Sequence, residues 1–333
     1  MKEKFLIIRF SSIGDIVLTT PVVRCLKQQY PHAEIHYFTK PQFAAILESN
    51  PYIKQVHVLD QPLLKKTMAI KKIGFDYVID LHNNLRTRII KSILDVPAFS
   101  FDKLNIEKSL LVHTKQNTLP NLHIVDRYLN TLHVFDIKND EEGLDYFIPE
   151  EAKFSPIIHQ QNNNPQYTAI AIGAQHATKR LPKHQLVKLC ESLTCKIILL
   201  GGKEDEIIGN ELAQLNPNNI INYCGKLTLN QSAWVVANAM QLITHDTGLM
   251  HIAAALKKPI VSVWGNTVPN FGMYPYYGKN KVQSHLFEVA NLSCRPCSKI
   301  GFKSCPKRHF DCMEKQDINA IISLANQGLE TIA

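Results

Sequence analysis

The first residues of the chain decide how it begins to fold. Phe5-Leu-Ile-Ile-Arg-Phe10 is a short run of β-forming residues. Ser11-Ser-Ile-Gly-Asp15 follows as a turn with one glycine, and apolar residues at helical spacing then run from Ile16 through Leu26. This order predicts a strand, a loop and a helix, which is how a parallel, doubly wound sheet starts.

The same strand signature recurs, followed by turn residues or helical patterns, in both halves of the chain. It occurs at Glu34–Phe38, Tyr77–Asp80, Tyr167–Ile172, Lys196–Leu200, Gln241–Thr244 and Pro259–Val263. The polar stretch Asn162-Asn-Asn-Pro165 is the most linker-like. Because 333 residues exceed what one core usually serves, we expect two Rossmann-like α/β domains, over 1–160 and 166–333.

Composition and charge limit the class of protein. With 45% hydrophobic and 20% charged residues, the chain is typical of soluble globular proteins. It shows neither a secretory signal nor an apolar run of about 20 residues, so we expect a cytoplasmic protein whose membrane contact is peripheral. The net charge of +8 favours anionic partners, but the scattered Lys and Arg, without a known recognition motif, argue against nucleic acid.

The loop after the first strand opens at the carboxyl edge of the sheet, where this class of fold binds ligands. It lacks the G-x-G-x-x-G pattern of a dinucleotide site and carries Asp15 instead. A carboxylate there repels phosphate, which makes the loop a poor nucleotide site and a good position for a catalytic base. The alternative interpretation is that Asp15 merely caps the helix.

A second ligand loop is predicted at His245-Asp-Thr-Gly-Leu-Met-His251. It places Thr247 and Gly248 at a helix N-terminus, where backbone N–H groups bind anions such as a diphosphate. His251 lies about one turn further on. Asp-Thr-Gly is also the aspartic-protease triplet, but it occurs once here and opens a helix, which excludes that interpretation. Lys179, in the loop that precedes Pro182, is placed to neutralise a diphosphate.

Together these strings resemble glycosyltransferase family 9, the heptosyltransferases. The resemblance rests on S-S-I-G-D-I-V-L-T-T-P and on D-T-G-L-M-H-I-A-A-A-L-x-x-P followed by V-W-G-N-T-x-P, and it extends from Phe5 to about Met313. It implies a GT-B fold, with two Rossmann-like domains facing a central cleft. It also implies that Asp15 is the catalytic base of an inverting transfer without a metal or cofactor.

By the same resemblance, the C-terminal domain would bind a nucleotide-diphospho-sugar, ADP-heptose, through Lys179, Thr247, Gly248 and His251. Glu204 resembles the family's acidic residue for the nucleoside, although Asp205 or Glu206 could take that part. The negative charge of Asp246 would repel a phosphate, so this residue is expected to orient the turn or to contact a sugar hydroxyl. Leu181-Pro182 stands where the family has Trp-Pro or a similar pair.

The N-terminal domain would bind a lipid A-core or other glycan acceptor. Asp80-Leu-His-Asn-Asn-Leu-Arg86 resembles an acceptor-side segment, which assigns Asn83 and Arg86 to the acceptor together with Ser12 and Gly14. The alternative is an ordinary turn with Asn83 or Asn84 as the helix cap. We expect a monomer with peripheral contact to the anionic inner membrane. The rival functions are a non-catalytic nucleotide-binding protein and a nucleotide-sugar epimerase of the same architecture.

Four cysteines lie close together near the C-terminus, as Cys294, Cys297, Cys305 and Cys312. Such a cluster in a cytoplasmic protein suggests zinc before a disulfide. Family members often carry a similar pattern without a metal in the chemistry, so we expect reduced, packed thiols. Lys299, Lys303, Lys307, Arg308 and His309 make this segment strongly basic and able to face a phosphorylated acceptor or the membrane.

Overall fold

The computed structural model describes residues 2–156 and 166–330, and these form two compact units. The N-terminal unit contains the described residues up to Leu104, with Asn121–Phe147 and Tyr276–Lys279. The C-terminal unit contains Asn105–Pro120, the described part of 148–275 and the described residues from Asn280 onward. The linker predicted at Asn162–Pro165 lies outside the described residues.

The N-terminal unit is built on a five-stranded parallel sheet. Its strands are β1 (Lys4–Ile8), β2 (Glu34–Thr39), β3 (Gln55–Val58), β4 (Tyr77–Asp80) and β5 (Ala98–Ser100), in the order β3-β2-β1-β4-β5. Its helices are α1 (Ile13–Val17), α2 (Thr20–Gln29), α3 (Leu63–Lys71), α4 (Leu85–Leu94) and α6 (Ile124–Leu129), while α5 (Asn105–Thr114) belongs to the C-terminal unit. Buried Leu6, Ile8, Phe38 and Val78 from the central strands form part of the core beneath α3 and α4.

The helix expected from Ile16 through Leu26 is in fact two helices. The hydroxyl of Thr19 donates to the Ile16 carbonyl at 2.6 Å, and that of Thr20 donates to the Val17 carbonyl at 2.7 Å. Pro21, in the first turn of α2, has no N–H to continue the hydrogen-bond ladder of α1. Apolar spacing alone predicted one helix because the pattern of buried side chains continues unbroken across this break.

The C-terminal unit is built on a six-stranded parallel sheet. Its strands are β6 (Tyr167–Ala171), β7 (Lys196–Leu200), β8 (Ile220–Asn222), β9 (Gln241–His245), β10 (Ile260–Trp264) and β11 (Ser284–Glu288), in the order β11-β10-β9-β6-β7-β8. The helices that follow α5 in this unit are α7 (Lys183–Ser192), α8 (Glu206–Ala213), α9 (Leu229–Asn238), α10 (Gly248–Ala255), α11 (Asp311–Glu314) and α12 (Ile318–Glu330). The apolar core includes Ile170, Ile197, Ile243 and Val263 from four neighbouring strands.

The predicted α/β class with two Rossmann-like parallel sheets is confirmed. The strands that sequence analysis did not single out, β3, β5, β8 and β11, are three to five residues long and lie at or next to a sheet edge. In the part of the chain that the structure describes, no helix is both long and apolar enough to cross a bilayer.

Candidate active site

Asp15 lies in the first helix after β1, and both of its carboxylate oxygens are engaged. The backbone N–H and the hydroxyl of Ser12 donate to Oδ2 at 3.0 and 2.8 Å. Arg9 Nη2 forms an ion pair with Oδ1 at 2.7 Å. Asp15 therefore does bond back to the residue that precedes α1, as the capping alternative required, but its side chain remains 20% exposed and can still meet a ligand.

Arg9 is a site residue that the sequence reasoning missed. Its Nε donates to the Ser11 carbonyl at 2.6 Å and its Nη1 to the Leu81 carbonyl at 2.5 Å. The guanidinium also lies 5.7 Å from the centre of the Tyr128 ring. These contacts fix the orientation of the group that pairs with Asp15. The available signal was a cation at the end of an otherwise apolar strand.

The charge state of Asp15 follows from these contacts. Burial raises the pKa of Asp15, but the positive charge of Arg9 and the hydrogen bonds from Ser12 lower it by more, so that the net shift is downward. The carboxyl group is consequently ionised at neutral pH. An ionised carboxylate in a fixed position can accept a proton.

The loop after β4 lies beside the Asp15 loop because β1 and β4 are neighbours in the sheet. Asn84 caps α4, since its Oδ1 accepts from the Thr87 N–H at 3.1 Å. Asn83 has a left-handed backbone (φ 46°), and its side chain donates to the Phe101 carbonyl at 3.0 Å. The question of which asparagine caps the helix is thus answered in favour of Asn84. Arg86 is exposed on the first turn of α4.

Two further groups stand near Asp15 that the sequence did not single out. His82 follows β4, with its ring centre 5.5 Å from that of Phe10. Burial, and then the charges of Arg9 and Lys103, lower the pKa of His82 to about 4, so its imidazole is neutral at pH 7. Burial followed by the charge of Arg9 also lowers the pKa of Lys103. A neutral imidazole and a second cation thus lie within electrostatic range of the candidate base.

In the C-terminal unit, three loops converge on Asp246. Lys179 Nζ contacts Asp246 Oδ2 at 2.5 Å and donates to the Asp246 carbonyl at 3.2 Å. The Thr267 hydroxyl donates to the same Oδ2 at 2.7 Å. These residues follow β6, β9 and β10, which are adjacent strands, so the cluster lies at the carboxyl edge of the sheet. Asp246 therefore positions Lys179 directly, a role that its charge alone did not suggest.

The start of α10 has the arrangement expected of an anion site. Thr247 precedes the helix with an extended backbone, its hydroxyl lies 3.3 Å from that of Thr244, and Gly248 is the first helical residue. The first turn carries no acidic residue. His251, one turn in, is only 2% exposed. The backbone of Thr247 and Gly248 thus offers the N–H groups, while His251 lies beneath them inside the unit.

The acidic residues after β7 differ in exposure. Asp205 is 3% exposed at its side chain, pairs with Arg180 at 3.0 Å and accepts from the Gly202 N–H at 2.8 Å. A Cβ at Gly173 would lie 2.0 Å from Asp205 Oδ2, so any other residue there would displace the Asp205 carboxylate. Glu204 is 62% exposed and lies 3.8 Å from Arg180. Of these two carboxylates, Glu204 is the one able to reach a ligand.

The four clustered cysteines are all free thiols. Burial raises the pKa of Cys312 to about 12, and burial together with Cys294 and Cys305 raises that of Cys297. Within residues 2–156 and 166–330, no group of three or more His, Cys, Asp or Glu side chains is arranged to hold a metal ion.

The model of glycosyltransferase family 9 (heptosyltransferase) matches residues 64–303. The chain belongs to this family. It is 28% identical over 291 residues to lipopolysaccharide heptosyltransferase 1 of Campylobacter coli, a match that covers 79% of this chain and 84% of that protein. The family match includes the donor-side motifs, and it agrees with the resemblance drawn from the motifs alone.

Solved structures confirm the predicted GT-B fold class. The E. coli ADP-heptose lipopolysaccharide heptosyltransferase II is similar with a TM-score of 0.70 at 19% identity, over 96% of this chain and 99% of that one. The iron-containing dodecameric glycosyltransferase TibC of enterotoxigenic E. coli is similar with a TM-score of 0.61 at 13% identity, over 100% of this chain and 77% of that one. At these identities the likeness concerns the fold alone.

Proposed function

We propose that this protein transfers heptose from ADP-heptose to a lipopolysaccharide core acceptor, with inversion at the anomeric carbon. Membership of family 9 and the similarity to lipopolysaccharide heptosyltransferase 1 support the reaction class. The observation that carries the mechanism is the Asp15 carboxylate, which Arg9 and Ser12 hold ionised and fixed at the carboxyl edge of the first sheet.

In the proposed step, an acceptor hydroxyl attacks the anomeric carbon of the donor while Asp15 takes the hydroxyl proton. The new glycosidic C–O bond forms as the bond to the diphosphate breaks, and ADP leaves from the opposite face. Ser12, Gly14, Asn83 and Arg86 serve the acceptor side in this proposal. Of these, Ser12 and Arg86 are exposed, whereas Gly14 is buried and Asn83 braces the loop through Phe101.

On the donor side, negative charge grows on the leaving diphosphate. Lys179 supplies a positive charge, and the N–H groups of Thr247 and Gly248 supply oriented dipoles at the start of α10. Glu204 binds the nucleoside and Asp246 orients Lys179. His251, which the sequence places at the diphosphate, is only 2% exposed, and we therefore give it no direct contact with the donor. These groups make the transfer independent of a metal ion in our proposal.

The experiment is a transfer assay with purified protein, ADP-heptose and a delipidated core acceptor. We expect one ADP released for each heptose transferred, and an anomeric configuration opposite to that of the donor by NMR. Binding of ADP-heptose without turnover would instead establish a nucleotide-sugar-binding protein. Interconversion of free nucleotide sugars without an acceptor would establish an epimerase.

We place the reaction, as part of the same proposal, at the inner face of the cytoplasmic membrane, with a monomeric enzyme in peripheral contact with anionic lipid. The support is the chemistry of the acceptor, whose lipid portion stays in a bilayer, and the net charge of +8.

A further inference from the structure

An apolar surface is exposed on α3 and α4, which pack against each other in the N-terminal unit. Leu64 and Met68 are 61% and 60% exposed on α3, and Leu85 and Ile89 are 73% and 36% exposed on α4. Each pair is spaced i, i+4 and so projects from one side of its helix. The opposite faces are anchored, because Ile70 and other residues of both helices lie in the core. These four residues define the α3–α4 surface.

The charges of the same two helices are all of one sign. They contain six cations, Lys65, Lys66, Lys71, Arg86, Arg88 and Lys91, and no Asp or Glu. Two of the six are neutralised, Lys66 by Asp60 at 3.0 Å and Lys91 by the buried Asp80 at 2.9 Å. The other four are exposed. Exposed apolar side chains among unopposed cations fit an anionic, partly apolar partner.

The position of the surface relates it to the acceptor-side residues. β3 and β4 are parallel, and α3 and α4 follow them, so both helices begin at the carboxyl edge of the sheet. The exposed apolar residues lie in the first two turns of each helix. They are therefore at the same edge as the loop that carries Asp15.

We propose that the α3–α4 surface docks on an anionic lipid bilayer, with Leu64, Met68, Leu85 and Ile89 in the headgroup region and the exposed cations on lipid phosphates. The α3–α4 surface is then the part of the protein that makes the peripheral membrane contact. This inference rests on the proposed function only in that a lipid-linked acceptor gives such contact a purpose. A lipid-linked acceptor would then present its sugars at the edge of the sheet that carries the candidate base.

The test is co-sedimentation of the full-length protein with vesicles of phosphatidylglycerol and phosphatidylcholine, against vesicles of phosphatidylcholine alone. We expect binding to the anionic vesicles that weakens as salt is added. The variant Lys65→Glu/Arg88→Glu should bind at least about tenfold more weakly, because each replaced cation no longer attracts the lipid phosphates. The variant Leu64→Ser/Met68→Ser should show a reduction of similar size that persists at low salt.

Two control variants separate this surface from general effects. Lys303→Glu/Lys307→Glu changes the net charge by the same amount in the other basic segment, and Ile207→Ser removes an apolar side chain that is 73% exposed on α8. Both should bind vesicles like the parent.

Equal binding by all variants, or weaker binding only in the Lys303/Lys307 variant, would overturn the proposal. A concentration-dependent dimer that Leu64→Ser/Met68→Ser abolishes would show that a second copy occupies the surface. Vesicle binding needs no turnover, so its outcome is independent of the transfer assay.

Discussion

The Lys179–Asp246 pair allows a sharp test of the donor site. In the variant Lys179→Ala, a bound diphosphate loses one charged hydrogen bond, for which about 1.5–3 kcal/mol is typical. This range corresponds to roughly a 10- to 150-fold weaker affinity for ADP. The structure adds a second effect of the same sign. Without Lys179, the Asp246 carboxylate stays in place and unneutralised, and it repels the incoming phosphates.

A companion variant separates these two effects. Asp246→Asn removes the charge but keeps a side-chain oxygen and the backbone carbonyl that accept from Lys179. Lys179 should therefore stay oriented without a competing carboxylate, and ADP should bind as tightly as in the parent or several-fold more tightly. The double variant Lys179→Ala/Asp246→Asn should bind ADP more tightly than Lys179→Ala alone, because the repulsion is gone. This non-additivity is expected of two residues in direct contact.

Calorimetry with ADP, ADP-heptose and adenosine is the assay. Lys179 and Asp246 are only 16% and 12% exposed at their side chains, so breaking the pair should also lower the free energy of unfolding, by roughly 3 kcal/mol. The affinity of each variant for its ligands must therefore be calculated for the folded fraction of the protein, which a thermal melt measures. Adenosine, which has no phosphate, should bind all variants equally. An equal loss of affinity for adenosine would show that Lys179 supports the fold or the base pocket, and unchanged affinity for every ligand would remove Lys179 from the site.

Three further predictions concern the base, a buried histidine and the thiols. Asp15→Asn should lower turnover at least ~100-fold with ADP affinity unchanged, whereas reduced stability with normal specific activity would leave Asp15 as a cap only. His57 stacks on His36, and burial is the main cause that lowers its pKa to about 4 from 6.5. Between pH 4 and 6.5 the unfolded chain thus binds more protons than the folded one, so the free energy of unfolding should fall by up to about 3 kcal/mol as the pH is lowered from 6.5 to 4. Denaturant titrations at several pH values should show a smaller pH dependence of this free energy in His57→Gln. Elemental analysis should find less than one zinc per chain, and the enzyme should keep its activity in the presence of a chelator. A tightly held metal whose removal unfolds the C-terminal unit would contradict this prediction.

Structural features that depend on neighbouring residues in the chain could be predicted from the sequence, whereas features that depend on contacts between distant residues could not. The buried strands β1, β6, β7 and β9 were predictable because each one contains a local run of apolar or β-branched residues. Ala98–Ser100 and Ile220–Asn222 are too short to give such a pattern and become strands only by pairing with a neighbour. The break between α1 and α2 depends on two threonine hydroxyls, which apolar spacing does not register.

The candidate site shows the same limit. The ligand loops were predictable because strand, turn and helix signals lie side by side in the chain. The contact between Lys179 and Asp246 joins residues 67 positions apart, and only the order of the strands brings them together. Charge alone places Lys179 at the phosphates and Asp246 away from them. In the folded unit the carboxylate instead holds the lysine in place.

The two interpretations of Asp15 that the sequence left open are compatible in the folded protein. The Ser12 groups that make Asp15 a helix cap also stabilise its ionised form and restrict its rotation. Arg9 pairs with the other carboxylate oxygen, and its positive charge makes Asp15 a weaker base but keeps the carboxylate unprotonated and in position. A base that must take a proton only as the new glycosidic bond forms needs correct placement more than a high pKa, because the hydroxyl becomes strongly acidic as its oxygen attacks. The cap is therefore part of the means by which this carboxylate could act as the base.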